Sequence, residues 1–95
     1  MTLKEKMNLI EKNIEYSMNN RQRIFYSNGY GMSYIPDFND ITLYEVAVLK
    51  GTEESYDICY STYITSDVLK GLTLDEVKQI GEEISKLNDN NRSVN

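Results

Sequence analysis

The chain has 95 residues, 40% of them apolar and 26% charged, and a formal net charge of −5 at pH 7. Its length predicts one domain with a single hydrophobic core. With no histidine and one cysteine, it excludes a Ser–His or Cys–His nucleophile pair, a zinc site and an intrachain disulfide. A small chain without a disulfide framework is typical of the cytoplasm, and charges among its first apolar residues argue against a signal peptide.

Charge is unevenly distributed along the chain. Residues 1–23 carry five basic and three acidic residues, whereas residues 37–89 carry twelve acidic and four basic residues. Nucleic-acid binding needs clustered Lys and Arg, so we expect no direct contact with DNA or RNA. One interpretation of the acidic part is a partner protein with a basic surface. The alternative is that the negative charge only keeps the domain soluble. No apolar run approaches the roughly 20 residues that span a bilayer, so no membrane partner is expected.

The first segment predicts an amphipathic helix. Its apolar residues recur at helical spacing: Leu3, Met7, Ile10, Ile14 and Met18. Thr2 and Glu5 match a capping box, in which each side chain accepts a hydrogen bond from the other residue's main-chain N–H. Leu9 and Tyr16 fall on another face of the helix, which predicts a second contact.

The uncharged stretch "IFYSNGYGMSYIP", residues 24–36, predicts a β-hairpin turning at "SNGYG". Asn-Gly is a strong hairpin signal because these residues tolerate positive φ. Pro36 lacks a main-chain donor and predicts the end of the second strand. Tyr30 lies between two glycines at the predicted tip, where we expect its ring to be exposed.

Two more strands are predicted from residues 41–50 and 55–64, joined by the turn "GTEE". The first alternates Tyr44, Val46 and Val48 with residues of the other face. The second is expected to bury a face that contains Tyr56, Ile58, Tyr60 and Ile64. The stretch "TSDVLKG", residues 65–71, predicts one helical turn that Gly71 ends.

The last segment predicts a second amphipathic helix. Thr73 and Glu76 match a capping box. The apolar stripe contains Leu74, Val77, Ile80, Ile84 and Leu87. Gly81 beside this stripe costs about 1 kcal/mol of helix propensity relative to alanine, which predicts close approach of a bulky sheet residue such as a tyrosine.

These elements predict an α+β fold. The expected order is an N-terminal helix, a four-stranded antiparallel sheet, a short helix and a C-terminal helix, in two layers with the helices on one sheet face. Residues 1–88 are expected to form the domain and residues 89–95 a disordered polar tail.

No catalytic constellation is apparent, so we expect a non-enzymatic protein without a metal or cofactor. Cys59 is interpreted as an inert apolar residue. Eight of the 95 residues are tyrosine, a residue that both binding surfaces and strands favour. For the hairpin tyrosines, core and binding roles therefore stay open. The candidate partner-binding residues are Tyr26, Tyr30, Tyr34, Asp37, Asp40, Glu53 and Glu54.

The stretch from "LYEVAVLKG" through "YDICYSTYITSDVLKGLTLDEVKQIGEEISKL", residues 43–87, resembles small accessory proteins of bacteriophages and prophages. The shared features are a strand ending "YEVAV", a "YD-CY" strand and "DVL-GLT-DEV" opening a helix. The resemblance transfers no catalytic or binding residue. Proteins of this size and acidity include anti-CRISPR and other anti-defence inhibitors, which occupy the surface of a host protein.

Three functions follow as hypotheses. The first is a phage-type inhibitor that binds a host protein, such as a nucleic-acid-handling defence enzyme, in the host cytoplasm. The second is a sponge for a nucleotide signal, in which tyrosine rings stack on the base while Arg21 and Arg23 hold the phosphates. The third is a structural or assembly protein that forms homo-oligomers through the polar sheet face and the second face of the first helix.

Overall fold

The computed structural model describes residues 1–65 and 67–88, and these form an α+β domain with an antiparallel sheet. The elements in chain order are α1 (Leu3–Asn19), β1 (Gln22–Phe25), β2 (Tyr30–Pro36), β3 (Tyr44–Thr52), β4 (Ser55–Ile58), β5 (Leu69–Leu72) and α2 (Leu74–Ser85). The two predicted capping boxes are present at Thr2–Glu5 and Thr73–Glu76. The predicted tail, residues 89–95, lies outside the described residues.

Strand β3 is the centre of the sheet. Along one side it pairs with β2, which pairs in turn with β1. Along the other side, β4 pairs with residues 49–52 of β3 and β5 pairs with residues 44–46. Both edges of β3 are therefore hydrogen-bonded, as a strand in the middle of a sheet requires.

Helix α2 packs on one face of this sheet and builds the core with it. The buried apolar residues of that core are Tyr30, Met32, Val46, Val48, Cys59, Val77, Ile84 and Leu87. The predicted alternation of Tyr44, Val46 and Val48 towards the core is confirmed. The free thiol of Cys59 is buried within the same cluster.

Helix α1 extends away from the sheet. Ser17 is its only buried residue among those described, and Leu3 near its start is 74% exposed. The helix contacts β2, and the Asn13 side chain donates a 3.0 Å hydrogen bond to the carbonyl of Phe38. The domain is accordingly elongated, with extents of 52 × 26 × 20 Å. Of the two helices expected to cover one sheet face, α2 packs on the face that holds the core, and α1 contacts β2 near its buried Ser17.

The predicted helical turn at residues 65–71 is wrong, because Leu69–Leu72 forms the strand β5. The predicted four-stranded sheet accordingly has five strands. The physical reason is a long-range one. Strand β4 ends at Ile58 and leaves the first half of β3 without a neighbour on that side, and β5 supplies the missing hydrogen bonds.

The predicted strand at residues 55–64 is shorter than expected and ends at Ile58. Cys59 turns into the core, whereas the rings of Tyr60 and Tyr63 are about half exposed. The expected burial of Ile58 and Tyr60 is therefore wrong. Beyond β4, the N–H of Cys59 donates a 2.7 Å hydrogen bond to the Val48 carbonyl of β3, and the Tyr63 hydroxyl donates a 2.6 Å hydrogen bond to Glu83 of α2.

Candidate protein-binding groove

An apolar groove of about 370 Å³ lies between α2 and the β1–β2 hairpin. Ile24 and Met32 are paired across the hairpin, so their side chains share the sheet face that α2 covers. Helix α2 packs over β2 and β3 and leaves the β1 side of that face open. The lining residues are Ile24, Tyr26, Met32, Tyr34, Leu74, Val77, Lys78, Gly81, Glu82 and Ser85.

Gly81 sets how closely α2 approaches the hairpin. A Cβ atom at this position would lie 2.9 Å from the Tyr26 hydroxyl and 3.2 Å from the Cε of Met32. Both distances are shorter than ordinary van der Waals contact. The prediction that a tyrosine of the sheet approaches this glycine is therefore confirmed.

The two tyrosines of the groove are partly buried and differ in their surroundings. Burial raises the pKa of the Tyr26 phenol above its ordinary value of 10.0, and the neighbouring Tyr34 phenol raises it further. The Tyr34 ring meets the Tyr44 ring edge-on, with centroids 5.8 Å apart and an interplanar angle of 73°. Both rings are thus held in place while part of each surface remains open to the groove.

Asn28 in the hairpin turn fastens one end of the groove. Its side-chain amide donates hydrogen bonds to the carbonyls of Ile84 at 2.8 Å and Leu87 at 2.9 Å, at the C-terminal end of α2. Its side-chain oxygen accepts from the N–H of Tyr30 at 3.1 Å. Gly29 has a φ of +85°, which lets the three-residue turn close. The Asn-Gly pair predicted the turn, but no local signal predicted its contact with α2.

Tyr30 does not lie at the tip of the hairpin. It is the first residue of β2 and its side chain is only 1% exposed, so the expectation of an exposed ring is wrong. The turn uses residues 27–29, because the Tyr26 N–H already donates to the Tyr30 carbonyl at 2.8 Å. Lys50 lies over the ring, with its Nζ 5.5 Å from the centroid. This tyrosine serves the core in the free protein.

The predicted acidic residues after β2 hold a loop together. The buried Asp37 accepts hydrogen bonds from the N–H groups of Asn39 at 2.9 Å and Gly71 at 3.2 Å, which joins the loop to β5. Asp40 is exposed and accepts from the N–H and the hydroxyl of Thr42. These hydrogen bonds, that of the hydroxyl first, lower the pKa of Asp40.

Glu53 and Glu54 are exposed in the β3–β4 turn. That turn and the Asp37 loop lie at opposite ends of β3, about 25 Å apart for a nine-residue strand. The structure therefore brings Tyr26 and Tyr34 together in the groove and places the four predicted carboxylates elsewhere. Ile24 and Leu74, which the sequence did not identify as candidate binding residues, are the exposed apolar residues at the groove margin.

A second cavity, of about 200 Å³, lies on the sheet face opposite α2. Arg21 and Arg23 line it together with Tyr56 over an apolar floor that includes Leu49. The Arg23 guanidinium carbon is 5.6 Å from the centroid of the Tyr56 ring, which in turn packs against Phe25. This cavity is the place where the two predicted phosphate-binding arginines meet.

Within residues 1–65 and 67–88, no group of three or more His, Cys, Asp or Glu side chains has the arrangement to hold a metal ion. Over the same ranges, no helix has the length and apolarity needed to cross a membrane. A scan against protein-family models finds no match, and searches of curated proteins and of solved structures find none either.

Proposed function

We propose that the protein is a non-enzymatic inhibitor of phage type, which binds and blocks a host protein through the groove between α2 and the β1–β2 hairpin. The observation that carries the proposal is an open apolar groove that holds two partly buried tyrosine rings. Large aromatic side chains fixed at the base of a pocket are typical anchors of protein interfaces. Their fixed rotamers lose little entropy when a partner binds.

The groove margin favours a partner that presents apolar side chains. Ile24 and Leu74 are exposed to water beside the tyrosines. Covering apolar surface stabilises a complex by about 25 cal/mol for each Å² removed from water, less the cost of association. A helix or turn with one or two protruding apolar side chains fits these dimensions.

The charge around the groove favours basic residues at the edge of the partner surface. Helix α2 carries four acidic residues and one lysine. Opposite potentials accelerate encounter, and salt screens them. A host enzyme that handles nucleic acid has such a basic surface, and occupying it would block the enzyme.

The test compares two isoleucine variants with the wild-type protein in capture from a bacterial lysate at low salt. Ile24→Glu places a charge in the groove. Ile58→Glu is the matched control, because Ile58 is a similarly exposed strand residue that faces the opposite side of the sheet. We expect the wild type and Ile58→Glu to capture the same protein and Ile24→Glu to lose at least tenfold in affinity for it.

Two outcomes would contradict the proposal in different ways. Equal capture by all three proteins would remove the groove as the binding surface while leaving an inhibitory function in place. Failure of the wild type to capture any host protein at low salt would remove the function itself.

A second candidate is a sponge for a nucleotide signal, favoured by the cavity that contains Arg21, Arg23 and Tyr56. Its volume of about 200 Å³ is below the roughly 300–1,000 Å³ of typical small-molecule sites, so we rank it second. A nucleotide present at 100 times its Kd should stabilise the fold by about 2.7 kcal/mol in a thermal-shift assay. The double variant Arg21→Ala/Arg23→Ala should abolish that shift, and no shift with any nucleotide would discard the sponge.

A further inference from the structure

Helix α1 exposes an apolar stripe that the domain does not cover. Leu3, Met7 and Ile10 are 74%, 54% and 55% exposed. The same side of the helix continues to Ile14 and the buried Ser17, near which α1 rests on the sheet. This side of the helix packs on the sheet only in its last turns. Along the first ten residues, about 15 Å of helix, it is uncovered.

The spacing of the stripe is that of a coiled coil. Positions 3, 7, 10, 14 and 17 follow one another at intervals of four, three, four and three. This seven-residue repeat has a period of 3.5 residues, which keeps a narrow seam facing a neighbouring helix. Leu3, Ile10 and Ser17 occupy d positions of the heptad, and Met7 and Ile14 occupy a positions.

Charges flank the seam in a complementary pattern. Lys4 and Glu11 occupy the two e positions of the exposed part, and Lys6 and Asn13 occupy the g positions. Antiparallel helices bring e positions together, so Lys4 of one copy faces Glu11 of a second copy, and the pair occurs twice by symmetry. In the same register Met7 packs against Ile10 of the second copy, and Leu3 against Ile14.

We propose that α1 pairs with α1 of a second copy of this chain as an antiparallel two-helix coiled coil. This interface is separate from the groove beside α2. The antiparallel arrangement holds the two acidic sheet domains at opposite ends of the pair, whereas a parallel one would set them side by side. It also brings the N-terminal lysines of each helix towards the acidic domain of the other copy. Since the seam covers only two heptads, the interface is small and we expect a Kd on the order of micromolar.

The first test uses sedimentation equilibrium of the purified full chain over a concentration series. We expect the wild type to form a dimer, and Ile10→Glu to raise the Kd at least tenfold. Leu9→Glu is the matched control, because Leu9 is about as exposed but lies about 100° around the helix axis from Ile10, outside the seam. A wild-type monomer at the highest concentrations, or equal effects of the two variants, would overturn the proposal.

The second test exchanges the charges. Lys4→Glu places a carboxylate opposite Glu11 of the other copy and should weaken the dimer, and Lys4→Glu/Glu11→Lys should restore it. An acidic residue in the first turn of a helix favours the helix itself, so a weaker dimer would not reflect loss of α1.

A parallel pair would respond differently, because there Lys6 faces Glu11 of the second copy. Rescue by Lys6→Glu/Glu11→Lys, together with no effect of Lys4→Glu, would overturn the antiparallel arrangement. Binding of a monomer to phospholipid vesicles with loss in Ile10→Glu would assign the stripe to a lipid surface and overturn the proposal as well.

Discussion

Asn28 and Ile84 are 56 positions apart in the sequence, and a 2.8 Å hydrogen bond joins the side-chain amide of the first to the carbonyl of the second. The last carbonyls of a helix have no partner within the helix. Lysine and arginine are absent from the last turn of α2, so the hairpin turn supplies the donors in their place. The turn thus fixes both the strand pair and the end of the helix packed on it.

Replacing Asn28 with alanine should lower the free energy of unfolding by about 3 kcal/mol. The change removes three partly buried hydrogen bonds, two to the carbonyls of Ile84 and Leu87 and one from the N–H of Tyr30, at roughly 1 kcal/mol each. Urea denaturation measures the effect. Ser27→Ala, an exposed change in the same turn, should stay within about 0.5 kcal/mol of the wild type. Equal stabilities of the two variants would show that the amide does not hold the helix end.

Tyr30→Ala should lower the free energy of unfolding by about 3 kcal/mol or more, because the ring is fully buried in the core. Tyr60→Ala removes the same side chain at an exposed position and should change stability by no more than about 0.5 kcal/mol. Both values come from chemical denaturation. A small loss of stability in Tyr30→Ala would contradict a core role for this ring and would make Tyr30 a candidate binding residue again.

Gly81→Ala should destabilise the domain even though alanine is the better helix former. The added methyl group meets the Tyr26 hydroxyl, and overpacking of this kind costs about 1–3 kcal/mol, against a gain of about 1 kcal/mol in helix propensity. Tyr26→Phe removes the obstructing oxygen.

In that phenylalanine background, we expect Gly81→Ala to become neutral or stabilising. The four proteins of this cycle give the coupling energy directly. Strictly additive effects would mean that the hydroxyl does not limit the approach of α2.

Alkaline solution should weaken the fold in part through Tyr26. Its folded-state pKa is raised, by burial first, so the folded protein retains the phenolic proton when the unfolded chain has released it. The stabilisation is complete below pH 10, the unfolded pKa, and is lost as pH rises through the folded value. Urea midpoints measured between pH 9 and 11 should fall less steeply in Tyr26→Phe than in the wild type. Parallel curves for the two proteins would refute the assignment.

Local signals predicted part of the fold. The capping boxes at Thr2 and Thr73 each depend on residues three positions apart, and both are present. The Asn-Gly pair predicted the hairpin, and Gly81 predicted a close approach that Tyr26 provides. In each case the signal is either a few neighbouring residues or a glycine inside a helix, whose cost in helix propensity predicts a close contact.

The predictions that were wrong depended on contacts between residues far apart in the sequence. The segment at residues 69–72 has a helical pattern, but it pairs as a strand with the side of β3 that β4 leaves open. Tyr30 looked exposed because glycines flank it, whereas burial depends on the helix that packs above. Of the residues that line the candidate groove, the sequence named only Tyr26 and Tyr34 as candidate binding residues, since the other wall comes from α2 at the far end of the chain.

The sparse packing of α1 gives the chain two levels of stability. A single helix of 17 residues is marginal in water, and only the last turns of α1 rest on the sheet. Amide hydrogens in its first turns can therefore exchange through local fraying, whereas those of β2 and β3 exchange only when the whole sheet opens. We therefore expect the helical signal of α1 to be lost at a lower temperature than the packing of the core, in which case a single melting temperature would not describe both.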